Sequence, residues 1–287
     1  MDINTIPEMK DIMSIDRGDH GMVTSIEWYM CSWCNYNCFY CNPSNHTQSK
    51  LEDTSYYIKQ AKKIAKKMSL DGYYVMLIKG GEVTFLDLEK ILDVFTDFNM
   101  TYHLTTNLSN KLEYYLDLID FCRCREQGIK IQASYHGKDT DNFLHKITEI
   151  SKVMPIKVSF VIDDTTYNMY SKIIKKIEKL KNNNIRIFTQ PRKIEDFKLS
   201  DNSSKYTQYS KSHSVFINDK PYEFGMLDIP LLIKDFDPYG FECTCKYDIL
   251  FVIDHFVKHR CGNKQTVICK KHNCDLCMVE SIYRIEK

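Results

Sequence analysis

The sequence predicts an α/β fold in which parallel strands alternate with crossover helices, followed by a small cysteine-rich C-terminal subdomain. Three observations carry this. Short β-prone runs and helical-period runs alternate from residue 23 to residue 189, the linkers are too long for hairpins, and the alternation stops after Pro191. At 287 residues the chain is long enough for one barrel-sized core with an appendage.

The first strand is expected over 23–30. Residues 53–69 carry Tyr57, Ala61, Ile64, Ala65 and Met68 at helical spacing with lysines between them, which predicts a helix with one solvated face. The run 73–78 is short, apolar and β-prone. The same alternation then predicts a helix near 87–98, a strand near 101–106, a helix near 112–121 and a strand near 129–134. A helix over 141–153, a strand over 156–162, a helix over 167–181 and a strand over 185–189 complete the series. Six strands separated by five helices make β/α units of parallel type. Beyond Pro191, residues 195–214 are polar and read as a linker, and 214–224 reads as a hairpin turning at Asn218-Asp219.

Directly after the first strand stand Cys34, Cys38 and Cys41, a C-x3-C-x2-C run among the turn-tolerant residues Asn35, Asn37, Asn42 and Pro43. Three thiolates on one short loop can hold three corners of a 4Fe-4S cluster, which normally takes four, so one iron is left open to a small molecule. The alternatives are zinc, with His46 as a fourth ligand, and plain core thiols, which have no reason to adopt this spacing. In parallel β/α barrels the chemistry sits at the C-terminal ends of the strands. The cysteine loop follows strand one, Gly80-Gly81-Glu82 follows strand two, Thr105-Thr106-Asn107 ends strand three, and Ser134-Tyr135-His136 ends strand four. All four belong to one rim.

Composition narrows the function classes. The 39 basic and 38 acidic residues balance, which gives no global attraction for nucleic acid or an anionic membrane. No window reaches the roughly 18–20 apolar residues of a membrane span, and the N-terminus has no secretory pattern, so a cytoplasmic protein is expected. Twelve cysteines without a secretory signal, six of them in 243–277 and four in 31–41, point to metal rather than disulfides.

The cysteine spacing, with aromatic Tyr40 just before Cys41, resembles the signature of the radical S-adenosylmethionine (radical SAM) superfamily. The resemblance covers about residues 22–190 and implies a partial (β/α)6, TIM-like barrel. It also implies that SAM binds the open iron through its amino and carboxylate groups. Reductive cleavage would then give methionine and a 5'-deoxyadenosyl radical that abstracts hydrogen from substrate. Gly80-Gly81-Glu82 resembles the family's GGE segment, which binds the SAM amino group, although Val83 stands where the family more often has proline. Alone, such a segment is equally an ordinary strand-to-helix turn with Thr84 as cap. Asn107 and Ser134 match strand-end positions that contact the SAM ribose or carboxylate, or are strand-end turn residues. Tyr40 can set the adenine or only shield a cluster. His136 is a candidate acid, base or hydrogen-bond donor in the substrate pocket; the plainer reading satisfies a backbone carbonyl.

Toward the C-terminus, Cys243-Thr-Cys245, a strand-like 249–253, Cys261-Gly262, Cys269 and Cys274-Asp-Leu-Cys277 resemble the twitch subdomain, a shortened relative of the SPASM extension. That resemblance, over about 240–280, implies an auxiliary 4Fe-4S cluster on Cys243, Cys261, Cys274 and Cys277, with Cys245 able to replace Cys243. Phe256 and Lys246 stand where the family usually has glycine. Structural zinc is the competing reading. The implied partition is a barrel over 1–194, a linker and hairpin over 195–239, and the cluster subdomain over 240–287.

The implied activity is hydrogen abstraction from a small-molecule or short-peptide substrate. A dehydrogenase is favoured, with the auxiliary cluster moving an electron and a flavodoxin or ferredoxin supplying the reductant. The alternatives are an epimerase or a peptide maturase with a cysteine hydrogen donor, for which Cys245 or Cys269 is best placed, and a zinc-stabilised binding protein without catalysis. No separate peptide-recognition domain fits within the first 20 residues, which favours a substrate of modest size.

Overall fold

The structure, a computed structural model, describes residues 14–16, 23–41, 47–162, 166–191, 213–218, 220–224, 239–240, 242–245, 249–256, 266–268 and 282–286. The chain divides into two compact units, Val23–Leu199 with Ile249–Val257, and Met1–Met22 with Ser200–Asp248 and Lys258–Lys287.

In the larger unit the strands are β1 (Val23–Tyr29), β2 (Tyr73–Lys79), β3 (Asn99–Thr106), β4 (Gly128–Tyr135), β5 (Ile156–Ile162) and β6 (Ile185–Pro191). Each pairs in parallel with its predecessor. The crossovers carry α1 (Thr54–Ala65), α2 (Leu88–Leu92), α3 (Leu112–Cys124), α4 (Thr140–Val153) and α5 (Tyr167–Lys179). These are the six strands and five helices that the alternation predicts. A seventh strand, β7 (Ile249–Val252), joins β1 in parallel from far along the chain, and β8 (His255–Phe256) folds back on it through Ile253 and Asp254. The sheet runs from β8 to β6 and does not close, so the architecture is a partial barrel.

Periodicity decides which face each element buries. In α1, Tyr57, Gln60, Ala61 and Ile64 are buried at positions one, four, five and eight of one stripe, and Asp53 caps the helix by accepting from the backbone N–H groups of Ser55 and Tyr56. In α5 the same spacing buries Tyr170, Ile173, Ile174 and Ile177. The strands alternate. Tyr74, Met76 and Ile78 of β2 are buried, while Val75, Leu77 and Lys79 are half-exposed. The buried set joins Ile26, Trp28, Tyr102, Leu104 and Phe251 in one core with the helices. Trp28 sits at its centre, edge-on to Phe95 and Phe251, and its indole N–H donates to Gln60.

The segment predicted as one helix over 87–98 is instead α2 followed by a 3-10 turn, Asp93–Phe95. The Thr96 hydroxyl donates to the Asp93 carbonyl, and the buried Gln127 side chain donates to the carbonyls of Phe95 and Phe98. The Thr96 and Phe98 N–H groups reach back three residues, to the Asp93 and Phe95 carbonyls, instead of four. The distant Gln127 side chain covers carbonyls at the end of the segment that any helix ending there leaves without an intrahelical partner.

The smaller unit is an antiparallel sheet, ordered Thr266–Ile268, Glu242–Cys245, Ile282–Glu286, Ser14–Asp16, His213–Ile217 and Lys220–Phe224. The expected hairpin is the last pair, with Asn218 at φ 49° in the turn, where asparagine is tolerated. Among the described residues no helix is long and apolar enough to cross a membrane.

Candidate cofactor site at the C-terminal edge of the parallel sheet

The loop that leaves β1 does not swing free. It continues alongside the end of β2, with the Met30 N–H on the Lys79 carbonyl, the Gly81 N–H on the Cys31 carbonyl and the Glu82 N–H on the Trp33 carbonyl, at 2.8–2.9 Å. This approach explains both glycines. Gly80 has φ 146°, and a Cβ on it would strike the Cys31 carbonyl oxygen; a Cβ on Gly81 would strike that of Trp33. The glycines make room for the backbone of the cysteine loop itself.

Glu82 is buried, and its carboxylate gathers four donors. One oxygen accepts from the Thr84 N–H at 3.2 Å, the Thr84 hydroxyl at 2.6 Å and the Thr106 hydroxyl at 2.8 Å; the other accepts from the Asn107 N–H at 2.6 Å. Burial pushes its carboxyl above the usual carboxylate range, and these hydrogen bonds pull against that. Among the described residues no lysine or arginine forms an ion pair with it. Glu82 thus ties the end of β3 to the loop after β2. Asn107 extends the tie by donating through its side chain to Asn35 at 2.9 Å and to the Cys34 sulfur at 3.8 Å.

Within the triplet, the Cys34 sulfur accepts from the Tyr36 N–H at 3.4 Å, and the Cys41 N–H donates to the Cys38 carbonyl at 3.0 Å to make the turn. Burial first, and then the neighbouring negative groups Glu82, Cys38 and Cys41, raise the Cys34 thiol to about 11, while burial also raises Cys38. Cys31, buried and 3.7 Å from the Trp33 carbonyl, is likewise raised to about 11 by burial and packs in the core. Burial makes Cys34 and Cys38 hold their protons more tightly than free thiols, so positive charge arriving beside them favours their thiolates. A cationic iron-sulfur core supplies that charge, so the donor set fits one. Among the described residues no three His, Cys, Asp or Glu side chains converge on a single ion; a cubic cluster takes its thiolates on separate irons.

His136 and Tyr40 belong to the cysteine loop's surroundings. The His136 Nδ1 lies 3.3 Å from the Cys38 sulfur and 2.6 Å from the Tyr40 hydroxyl, with the two rings stacked at 13°. Burial, followed by Lys138, lowers His136 to about 4, so it is neutral at physiological pH. The Tyr40 hydroxyl also lies 3.3 Å from that of buried Tyr170 on α5. Tyr170 carried no signal in the sequence, since its spacing reads only as core. Ser134 lies apart from this group and is hydrogen-bonded to Ser159 across β4 and β5 at 3.0 Å.

The strand face turned away from the helices mixes apolar residues such as Val75 and Leu77 with polar ones. It carries Glu27, Lys79, Gln132, Ser134 and Ser159, with Lys79 ion-paired to nearly buried Glu27 and lying over the Tyr29 ring at 5.3 Å.

Of the C-terminal cysteines, Cys243 and Cys245 lie on Glu242–Cys245 of the smaller unit, where the pairing with Ile282–Glu286 shifts register between Thr244 and Cys245. Cys261, Cys269, Cys274 and Cys277 lie outside the described residues, as does His46.

No protein-family model matches the sequence, and no curated protein matches it significantly. Solved structures with a similar fold include AdoMet-bound anSMEcpe, at 14% identity over 58% of this chain and 51% of that one, with a TM-score of 0.44. SuiB of Streptococcus suis bound to the precursor peptide SuiA is 14% identical over 74% of this chain and 44% of that one, with a TM-score of 0.46. SuiB bound to S-adenosylmethionine is 13% identical over 74% and 63%, with a TM-score of 0.31. The chain spans about half the length of the first of these.

Proposed function

We propose that the chain is a radical SAM enzyme whose first cluster is held by Cys34, Cys38 and Cys41. One observation carries the reading. A three-cysteine loop hangs from the C-terminal end of β1 and is seated, backbone on backbone, against Gly80-Gly81-Glu82 at the end of β2. A 4Fe-4S cluster held there by Cys34, Cys38 and Cys41 would supply the electron for reductive cleavage of SAM and so the radical chemistry.

The chain's own residues do the rest. Gly80 and Gly81 fix the height of the cysteine loop above the sheet edge. Glu82, a buried carboxyl with no described cationic partner, would be drawn to its ionised form by a cationic group such as the SAM ammonium. Asn107 steadies Cys34, and Ser134 stands on the strand face turned away from the helices. Glu27, Lys79, Gln132, Ser134 and Ser159 give that face hydrogen-bonding and charged groups suited to a polar small molecule or a short peptide. Dehydrogenation is the reaction we favour. An auxiliary cluster on Cys243, Cys261, Cys274 and Cys277 would take up the electron left after hydrogen abstraction, with Cys245 in reserve as a ligand or hydrogen donor. A flavodoxin or ferredoxin in the cytoplasm would supply reducing equivalents.

Anaerobic purification with iron, sulfide and zinc assays tests the metal. The expected result is iron with matching acid-labile sulfide, thiolate-to-iron absorption in the visible, and loss of the SAM-responsive part of that signal in Cys38→Ala. Stoichiometric zinc without labile sulfide would overturn the reading.

A further inference from the structure

The strongest arrangement left unused is the hydrogen-bonded chain that runs from the helix layer into the cysteine loop. It joins Tyr170 of α5, Tyr40 of the loop, His136 beyond β4, and the sulfur of Cys38. These groups come from three separate stretches of sequence. Each is at least half-buried, and Tyr170 is wholly so, packed against Tyr135 and Phe160 with ring centroids 5.5 and 5.6 Å away. Tyr36 stands edge-on to His136 on the other side, with the Lys138 ammonium over its ring at 4.4 Å. The imidazole thus has two aromatic neighbours, Tyr36 edge-on at 5.8 Å and Tyr40 stacked at 5.9 Å. Buried polar atoms of this kind cost stability unless they are paired, and the pairs here form one chain that ends on the Cys38 sulfur.

Resting on the cluster reading above, we propose that His136 is a positioning residue that donates a hydrogen bond to the Cys38 sulfur, is held to it by Tyr40 and Tyr170, and sets the cluster's reduction potential. A metal-bound thiolate only accepts hydrogen bonds, so with the cluster bound Nδ1 would carry the proton, shared between the Cys38 sulfur at 3.3 Å and the Tyr40 oxygen at 2.6 Å. The Tyr40 hydroxyl oxygen, 2.6 Å from the same Nδ1, accepts from that N–H as well and holds the imidazole beside the sulfur. Tyr170 orients that hydroxyl from 3.3 Å. Hydrogen bonds to ligand sulfur draw electron density from iron and stabilise the reduced state, so they raise the potential. His136 thus acts on the metal's ligand, where the sequence suggests a substrate-facing acid or base.

The test is a reductive titration of the anaerobic full-length protein without SAM or substrate, following the electron paramagnetic resonance of the reduced cluster. His136→Leu should move the midpoint to a lower potential. His136→Asn, whose amide N–H falls near the place of Nδ1–H, should restore most of the shift. Tyr170→Phe should move it the same way by less. If His136→Leu loads poorly, Tyr170→Phe and His136→Asn decide alone: a lowered midpoint in the first and a near-native one in the second support the proposal. A midpoint unchanged in Tyr170→Phe and in every His136 variant that loads overturns it. Failure of the wild-type chain to hold an iron-sulfur cluster is a different outcome; it overturns the function proposed above and this inference with it.

Discussion

Glu82 is the most heavily engaged side chain of the site, with four donors on one buried carboxylate. Its raised carboxyl has a sign that can be measured. The folded chain still binds the proton at a pH where the unfolded chain, with a carboxyl near about 4.3, has released it. Glu82's contribution is therefore full below the unfolded value and is lost as pH rises through the folded one. The metal-free protein should show stability that declines with rising pH across that window, and Glu82→Gln should remove that part of the slope in urea denaturation; an unchanged slope would mean that the carboxyl is not strained. Gly81 allows a simpler test. A Cβ there meets the Trp33 carbonyl, so Gly81→Ala forces backbone displacement worth about 1–3 kcal/mol. Its thermal stability and its iron content should fall together; equal iron loading in the variant would show that the glycine serves only the turn.

At the scale of elements, the parallel series was legible because each strand and helix announces itself within its own window. Ile156–Ile162 and Thr140–Val153 fall within a residue of their predicted limits. What failed to show depends on distant partners. The segment 87–98 ends in a 3-10 turn whose last carbonyls accept from Gln127, and nothing local to 87–98 reports that partner. Ile249–Val252 reads as a short strand, but its place beside β1 is decided by Phe251 entering the core against Trp28. Phe251→Ala should therefore cost about 3–5 kcal/mol, the range for a buried phenylalanine, although it lies more than 200 residues from β1. A loss below about 1 kcal/mol in denaturant unfolding would place β7 outside the cooperative unit. The site was legible to the same degree. Cys34, Cys38 and Cys41 and the Gly80-Gly81-Glu82 segment declare themselves by spacing, whereas Tyr170 looks like any core tyrosine at helical period until its hydroxyl is seen beside Tyr40.

At the scale of the whole molecule, an open parallel sheet presents one cysteine loop at the C-terminal ends of its strands, and we propose that a radical-generating cluster is held there. The C-terminal cysteines are assigned a later role. Cys274→Ala should therefore leave SAM cleavage running but uncouple it from substrate, seen as 5'-deoxyadenosine formed in excess of product; loss of all cleavage would tie that cysteine to the first cluster. The most direct test of the central claim is the yield of 5'-deoxyadenosine when the anaerobic, reconstituted protein is given SAM and dithionite. The wild-type chain should form it and Cys38→Ala should not. No 5'-deoxyadenosine from a wild-type chain that holds a reduced cluster, or equal amounts from both proteins, would contradict the account.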